Sequence, residues 1–565
     1  MQEEIFSKLV SYFKKLPASS IPPLVLQLLQ FLKDSQPLSR QLLATINEFF
    51  SSRLTPEDRD GAASNVDLDS IELVSDDGTK EELMQAESIV IYHLHSAASN
   101  GHIIGREVIN LVKSAAQAPD LMLKTFSLFL FITFISLKQY EEAILNSLKT
   151  AILRTVAIEE SRQNYVWIRS VMKKLPSIGD LLSVVITQSK KSGGWDLICQ
   201  GILELGLHLL DVACTSKAES RKVKTIHNIG ARLLVKLVKN QRELCRPVIS
   251  ALTSKILTTG PASVQYTEAL RITVADTAAL LMETPHEFDE LVENVARLPY
   301  NTSRRALHAL LPLVRLSRVL RDLIILSLRK LLFCSAVDAR QVKPYSFWSY
   351  FVFIFIVQAA TAGVLLLLRS FRVSTTRSVS QLSQTQGSGS LSQVAVDVHR
   401  GAATSNEALC LELLGVLRRC FVQPCEVKMV FYVGVIDVIN KNPEMCEGVL
   451  ELAHSHLLSL WGPEGSSRHR WQLNLDKIVR EHNDTWAVEE PVGWFLNCLQ
   501  QIVNKTQQVS EEDNDVLCKV TSLLDEMVEK YGDCEPGELG FDETDNFDKK
   551  TKNGEKKVLQ LEQLR

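Results

Sequence analysis

Leucine-rich segments of helical length recur along almost the whole chain, and this recurrence most limits the folds open to it. The apolar residues of each segment fall on one stripe of a helix, as in residues 6–32, which two prolines divide, and in residues 40–50. Alternating β-type runs are scarce, and only 7% of the residues are aromatic. The pattern predicts an all-α fold. Because the helices recur in pairs over 565 residues without a fixed period, we expect an α-solenoid of irregular, HEAT-like antiparallel helical pairs.

Several polar stretches interrupt the helical pattern and mark boundaries. Residues 51–82 are acidic and poor in apolar side chains, which predicts a mobile loop. Residues 189–194 contain adjacent glycines and predict a boundary between domains or repeats. Residues 375–392 are rich in Ser, Gln, Thr and Gly, which predicts a disordered linker. The charged tail at 532–557 loses helical periodicity, and the basic segment 217–224 is expected to be a loop.

Composition and motifs argue against several classes of function. The net charge of −4 provides no overall attraction to nucleic acid, so a DNA contact would need a local basic surface. The 11 cysteines show no Cys-x-x-Cys pair and no zinc spacing, which predicts reduced, mostly buried thiols in an intracellular protein. The sequence has no phosphate-binding loop, dinucleotide motif, nucleophile elbow or paired-carboxylate motif. We therefore predict a non-enzymatic protein without catalytic residues, cofactor or metal site.

A hydrophobic run at residues 345–368 carries no charged side chain and is long enough to cross a bilayer, which takes about 20 residues. A retained intron explains it differently. Val342 and Lys343 can be encoded by a sequence that begins GTAAA, and residues 351–358 by a T-rich tract that ends in CAG, the signatures of an intron's two ends. Removal of residues 342–358 leaves an ordinary amphipathic helix. We favour a non-native insert at 342–358 over a membrane anchor or a genuine buried insertion.

The densest basic surface available to one helix pair lies between residues 304 and 330. Its members are Arg304, Arg305, Arg315, Arg318, Arg321, Arg329 and Lys330. The simple interpretation is a solvated polar face beside a core stripe. The alternative is that Lys330 is modified, or that the surface meets an acidic partner or a phosphate backbone.

Four Ser-Gln or Thr-Gln pairs lie within the expected linker. Their hydroxyl residues are Ser380, Ser383, Thr385 and Ser392. This dipeptide is the minimal target of DNA-damage kinases of the phosphatidylinositol-kinase-like class. Each phosphate would add a charge of about −1.5 to −2, with which nearby arginines could pair. A merely solvated tether rich in Ser and Gln is the alternative.

The order of these features resembles the Fanconi anaemia group I family, helical scaffolds of DNA crosslink repair. The matching stretches are IPPLVLQLL (21–29), GWDLICQGILELG (194–206), RDLIILSLRK (321–330), VDAR (337–340), VDVH (396–399) and CLELLGVLRRC (410–420). On this resemblance, the family's monoubiquitination site falls on Lys330. Its linker phosphorylation sites fall on Ser380, Ser383 and Ser392, and Thr385 is an additional candidate.

The resemblance implies α-solenoids that alternate with helical domains. The expected domains are the end of a first α-solenoid with an acidic loop (1–82), a helical domain (85–192), a second α-solenoid (195–373) interrupted at 342–358, the SQ-rich linker (374–395) and the start of a second helical domain with a charged tail (396–565). The resemblance also implies a nuclear protein that pairs with its Fanconi group D paralogue and binds branched or double-stranded DNA. It would receive ubiquitin from the Fanconi ubiquitin-ligase complex after phosphorylation by a DNA-damage checkpoint kinase, and no membrane contact is expected.

The chain departs from the family pattern in two respects. It covers a little under half of a full-length member, beginning inside the first solenoid and lacking the basic nuclear-localising tail. The interruption at 342–358 follows Lys330 by about three helical turns and would disturb its presentation. Two other classes of function stay open: a single-pass membrane protein with helical domains on both sides of 345–368, and a generic HEAT-like adaptor in which the SQ cluster is incidental.

Overall fold

The computed structural model describes the chain from residue 6 to residue 564, with internal gaps. The residues outside the described part are 7, 10, 33–34, 54–76, 119–123, 166, 168–176, 216–220, 296–297, 334–346, 372–408, 411, 461–473, 483–484, 510–513, 533–540, 542–544, 546 and 550. The chain divides into two compact units, Met1–Glu287 and Phe288–Arg565. The finer domain boundaries expected from the sequence stay predictions.

In its described residues, the first unit consists of helices and short 3-10 turns. The helices are α1 (Ile21–Phe31), α2 (Gln36–Arg53), α3 (Asp77–Ser99), α4 (Ile104–Gln117), α5 (Thr125–Ile135), α6 (Lys138–Asn164), α7 (Ile178–Lys191), α8 (Trp195–Thr215), α9 (Arg221–Asn240), α10 (Cys245–Thr259) and α11 (Val264–Leu281). Short 3-10 turns lie at Phe13–Lys15, Ala18–Ser20, Arg242–Leu244, Gly260–Ser263 and Pro285–Phe288.

The second unit is also helical, with one small hairpin. Its helices are α12 (Asp289–Asn294), α13 (Tyr300–Leu316), α14 (Arg318–Phe333), α15 (Phe347–Ser370), α16 (Cys425–Lys441), α17 (Cys446–Leu460), α18 (Leu475–Ile478), α19 (Val492–Val509), α20 (Asp515–Gly532) and α21 (Lys552–Leu564). Residues 412–417 are helical and continue into a 3-10 turn at Arg418–Val422, and a second 3-10 turn lies at Pro443–Met445. The prediction of an all-α fold of solenoid type is confirmed.

Helix α5 is the buried centre of the first unit. All of its residues are buried, and none carries a charge. A helix that is apolar on every side has no face to offer to water, so other helices must surround it. Helices α3, α6, α7 and α8 pack against it. At Gly201, α8 comes so close that a Cβ atom would overlap the backbone carbonyl oxygen of Ile132.

Helix α15 has the corresponding central position in the second unit, where it packs against α13, α14 and α16. Gly363 of α15 lies beneath two leucines, because a Cβ atom there would come within 2.8 Å of Leu328 and 2.9 Å of Leu307. On another side, Gly434 of α16 makes room for Leu365. The approach of Gly363 to Leu328 brings α15 close to α14, the helix that carries Lys330.

The second unit contains a β-hairpin that the sequence analysis did not predict. Strands β1 (Val479–His482) and β2 (Thr485–Val488) pair antiparallel, with Val479 opposite Val488. Helix α21 packs against the hairpin, and its Lys556 pairs with Asp476 at 2.7 Å. Part of the tail expected to lack periodicity is therefore an ordered helix.

The basic segment 217–224 was expected to be a loop, but α9 begins at Arg221. Cations at a helix N-terminus are disfavoured by the helix dipole. A neighbouring carboxylate offsets part of this cost, since Lys222 lies 3.4 Å from Glu160 of α6. The expectation of a loop was wrong for residues 221–224, and residues 217–220 lie outside the described part of the chain.

Candidate modification site

Lys330 lies on the solvent face of α14 and in its last turn. The opposite face of the helix is buried and consists of Leu320, Ile324, Ile325, Leu328 and Leu332. Within the described part of the chain, the Lys330 ammonium group makes no hydrogen bond and no ion pair. Among the described residues, the Lys330 side chain therefore has no polar partner, and it is exposed.

The side chains that flank Lys330 on the helix surface are apolar yet exposed. Leu326 and Phe333 are four residues before it and three after it, positions that are neighbours on a helix. They are 51% and 47% exposed, and Val319, on the same stripe, is 59% exposed. Single exposed apolar residues are ordinary, but a row of them beside a reactive group is typical of a surface that a partner covers.

The N-terminus of α14 is fixed by Ser317. The backbone N–H of Leu320 donates a hydrogen bond to the Ser317 hydroxyl at 3.3 Å, and the N–H of Ser317 closes α13 by donating to the Leu313 carbonyl at 2.7 Å. A serine in this position satisfies one of the donors that a helix start leaves free. Further along, the Ser327 hydroxyl donates to the Val292 carbonyl at 3.3 Å and ties α14 to α12.

The C-terminal end of α14 is held by residues from the segment 412–423. Arg329 forms an ion pair with Glu412, and the guanidinium of Arg419 lies 3.9 Å from the ring centroid of Phe333. The Gln423 side-chain amide donates a hydrogen bond to the Leu332 carbonyl at 3.4 Å. Sequence reasoning missed these contacts, because they join residues about 80 to 90 positions apart.

The arginines predicted to form a basic face have different surroundings. Arg304, Arg305, Arg315 and Arg318 are exposed. Arg321 is mostly covered, with its side chain 13% exposed and its guanidinium 6.0 Å from the ring centroid of Phe371. Arg329 is engaged with Glu412. The open part of the surface is thus smaller than the sequence implied.

The four hydroxyl residues predicted as kinase targets, Ser380, Ser383, Thr385 and Ser392, lie outside the described residues. Their assignment stays a prediction from the Ser/Thr-Gln pattern and the family resemblance. The first half of the insert predicted at 342–358 also lies mostly outside the described part, which resumes at Phe347.

A buried polar cluster that sequence analysis did not predict joins α16, α17 and the end of the hairpin. Lys428 and His456 lie 2.7 Å and 3.0 Å from one oxygen of Glu490, and the Tyr432 hydroxyl donates to the other at 2.5 Å. Burial by itself would raise the pKa of Glu490, but the hydrogen bond from His456 and the charge of Lys428 outweigh it and hold that pKa below its usual range. Glu490 is 1% exposed, and the cluster links α16 and α17 to the residues after the hairpin in the core.

The cysteines of the described part are free thiols, and most are buried. Burial raises the pKa of Cys420 and of Cys498 to about 12, which keeps both thiols protonated and unreactive. Cys518 is exposed. Among the described residues, no group of three or more His, Cys, Asp or Glu side chains is placed to hold a metal ion.

Helix α15 is long and apolar enough to cross a membrane by length and composition. Of its most apolar window, Phe353–Ser370, 67% is buried within the protein. Gln358 also donates a hydrogen bond to the Glu426 carbonyl of α16 at 3.1 Å. These contacts are those of a core helix, since a membrane span would present its apolar side chains to lipid.

Comparison with known proteins places four family models along the chain in order. They are FANCI solenoid 1 at residues 2–99, FANCI helical domain 1 at 104–188, FANCI solenoid 2 at 198–347 and FANCI helical domain 2 at 381–564. The chain is similar to the mouse Fanconi anemia group I protein homolog, with 25% identity over 97% of this chain and 41% of the relative. It is 28% identical to the chicken Fanconi anemia group I protein over 88% of this chain and 36% of the relative. The chain thus spans about two-fifths of the length of these relatives, and it belongs to the Fanconi anaemia group I family.

Proposed function

We propose that this chain is a non-enzymatic scaffold of DNA interstrand crosslink repair that is monoubiquitinated at Lys330. It would pair with its Fanconi group D paralogue and bind DNA in the nucleus. The observation that carries the proposal is the exposed Lys330 within a chain that matches four family domains in sequence order. The match supports the pathway, and the exposure supports the acceptor.

The geometry suits an acceptor lysine. Ubiquitin attachment needs an amine that can reach a thioester, and the Lys330 amine has no competing partner in the described structure. The exposed Leu326 and Phe333 beside it supply apolar area that a ligase subunit or the paralogue would cover. Contacts at both ends of α14 hold this helix in place, so the Lys330 side chain samples fewer orientations before its amine meets the thioester.

The proposed switch and DNA contact depend on charge. Phosphorylation of Ser380, Ser383, Thr385 or Ser392 by a DNA-damage checkpoint kinase would place phosphates in the segment that follows α15 in sequence. The exposed arginines of α13 and α14 lie on the same helix pair as Lys330, and they would pair with the phosphates of the linker or of DNA. A contact to DNA through these arginines would weaken steeply as salt is raised.

Two rival functions give different results. A single-pass membrane protein would stay in the pellet after carbonate extraction, whereas the buried contacts of α15 favour release with the soluble fraction. A generic helical adaptor would show no crosslinker-induced phosphate on Ser380, Ser383 or Ser392. Phosphopeptide mass spectrometry of cells treated with a crosslinker separates this rival from the repair scaffold.

The test of the proposal is a ubiquitin shift in cells. The chain is expressed in cells with and without residues 342–358, and the cells are treated with a DNA crosslinker. Blots of the chain are then examined for an increase in mass that corresponds to one ubiquitin. Lys330→Arg is expected to abolish the shift. Lys441→Arg is the matched control, because Lys441 is also exposed and also lies in the last turn of a helix of the second unit. A shift that survives Lys330→Arg would refute the proposal.

A further inference from the structure

We propose that Glu412, Arg419 and Gln423 are positioning residues for Lys330, because they keep the last turn of α14 helical. These three residues are called the clasp. The inference rests on the proposed function, since it concerns how the acceptor lysine is presented. It adds residues that neither the sequence nor the family comparison singled out.

The last turn of a helix is its weakest part. The final four carbonyl groups have no partner within the helix, and end turns open and close with little cost in free energy. Lys330 is the fourth residue from the end of α14 at Phe333, so it lies in this turn. Without outside contacts, the direction of its side chain would change whenever the turn opened.

The clasp contacts the helix on both sides of the lysine. Glu412 pairs with Arg329, immediately before Lys330, and Arg419 covers the ring of Phe333, three residues after it. Gln423 donates to the carbonyl of Leu332, one of the groups that the helix end leaves free. Each contact is partly exposed and weak by itself, but all three must break before the turn can unwind.

The clasp is itself anchored in the core, so it can restrain the helix end. Leu413, Leu417 and Cys420 of the same segment are buried, and the Cys420 thiol lies 3.8 Å from the Thr361 hydroxyl of α15. The ring of Phe421 lies 5.0 Å from that of Phe431 in α16. Because α15 also packs against α14, the clasp and the helix it holds share one support.

The clasp also accounts for the lack of a partner for Lys330 among the residues that the structure describes. Its neighbours Arg329 and Phe333 take the contacts to the clasp, and the lysine is left on the open side of the turn. With the backbone of the last turn held, the Lys330 side chain always begins from the same place and direction, which favours reaction over a lysine on a frayed end.

The experiment compares the full chain with the double variant Arg419→Ala/Gln423→Ala. Amide hydrogen exchange in the last turn of α14 is expected to become about tenfold faster, because the loss of two weak contacts amounts to about 1.4 kcal/mol. The crosslinker-induced ubiquitin shift is expected to fall severalfold. Arg419→Lys, which keeps a cation over Phe333, is expected to retain most of the shift.

Two measurements separate positioning from general damage. Exchange in α15 should be unchanged in the double variant, and Glu426→Gln should alter neither readout, because Glu426 is an exposed carboxylate outside the clasp. Faster exchange with an undiminished shift would overturn the inference, and so would unchanged exchange in the last turn. If Lys330→Arg leaves the shift intact in the unaltered chain, the proposed function fails and this inference fails with it.

Discussion

Substitution of Gly201 by alanine should destabilise the first unit, although alanine is the better helix former. In the middle of α8, the change contributes about 1 kcal/mol in favour of the helix. The added Cβ, however, would overlap the carbonyl oxygen of Ile132 and lie 2.9 Å from its carbonyl carbon. Backbone atoms of a buried helix cannot rotate away as a side chain can. Overpacking costs about 1–3 kcal/mol and more against a rigid neighbour, so we expect a net loss of about 1–2 kcal/mol.

Differential scanning calorimetry of the whole chain measures this loss. At about 2–4 °C per kcal/mol for a unit of this size, the midpoint of the transition that involves the first unit should fall by about 2–8 °C. Gly179→Ala is the control, because a Cβ there meets only the Ser177 hydroxyl oxygen at 3.7 Å. The control should melt at or slightly above the temperature of the unaltered chain. If Gly201→Ala does the same, α8 and α5 are not in the close contact described, and the reasoning is refuted.

Three further outcomes are expected. Glu490→Gln should lower the free energy of unfolding by about 3–5 kcal/mol at pH 7, because Lys428 stays buried without a counter-charge. The pKa of Glu490 in the folded protein lies below its ordinary value of 4.5. The contribution of the Glu490 carboxylate to the free energy of unfolding is therefore complete above pH 4.5 and is lost as the pH falls through the folded pKa. The urea midpoints of the unaltered chain and of Glu490→Gln should accordingly converge in acid. Iodoacetamide should label the exposed Cys518 in the native chain and should reach Cys498 only after unfolding, as peptide mass spectrometry would show. Sequencing of mature transcripts should recover messages that lack the codons of residues 342–358.

The helices nearest Lys330 could be predicted from the sequence, because their apolar stripes are long and their ends are marked. Sequence analysis placed one helix pair across residues 304–330, and the structure has α13 at Tyr300–Leu316 and α14 at Arg318–Phe333. The lysine and its solvent face follow from helical spacing alone. What surrounds the lysine does not, since the clasp depends on contacts between distant parts of the chain.

The elements that were missed have weak local signals. Strands β1 and β2 are four residues each, too short for alternation to stand out. Helix α21 is rich in charge, and it owes its order to packing on that hairpin. The cluster around Glu490 gathers Lys428, Tyr432 and His456 from two helices, and no spacing in the sequence reveals which buried polar groups will meet.

The central place of α15 has a consequence for the chain as it leaves the ribosome. Its partner α16 ends at Lys441, 71 residues after Ser370, the last residue of α15 (441 minus 370). At a synthesis rate of about 5–20 residues per second, this helix, which is long and apolar enough to cross a membrane, waits about 4–14 s for the last part of the surface that will cover it. During that interval it presents the features by which cells recognise a membrane segment or an unfolded protein. Chaperones that shield apolar helices are therefore expected to act on this chain during translation, before the acceptor lysine has its final support.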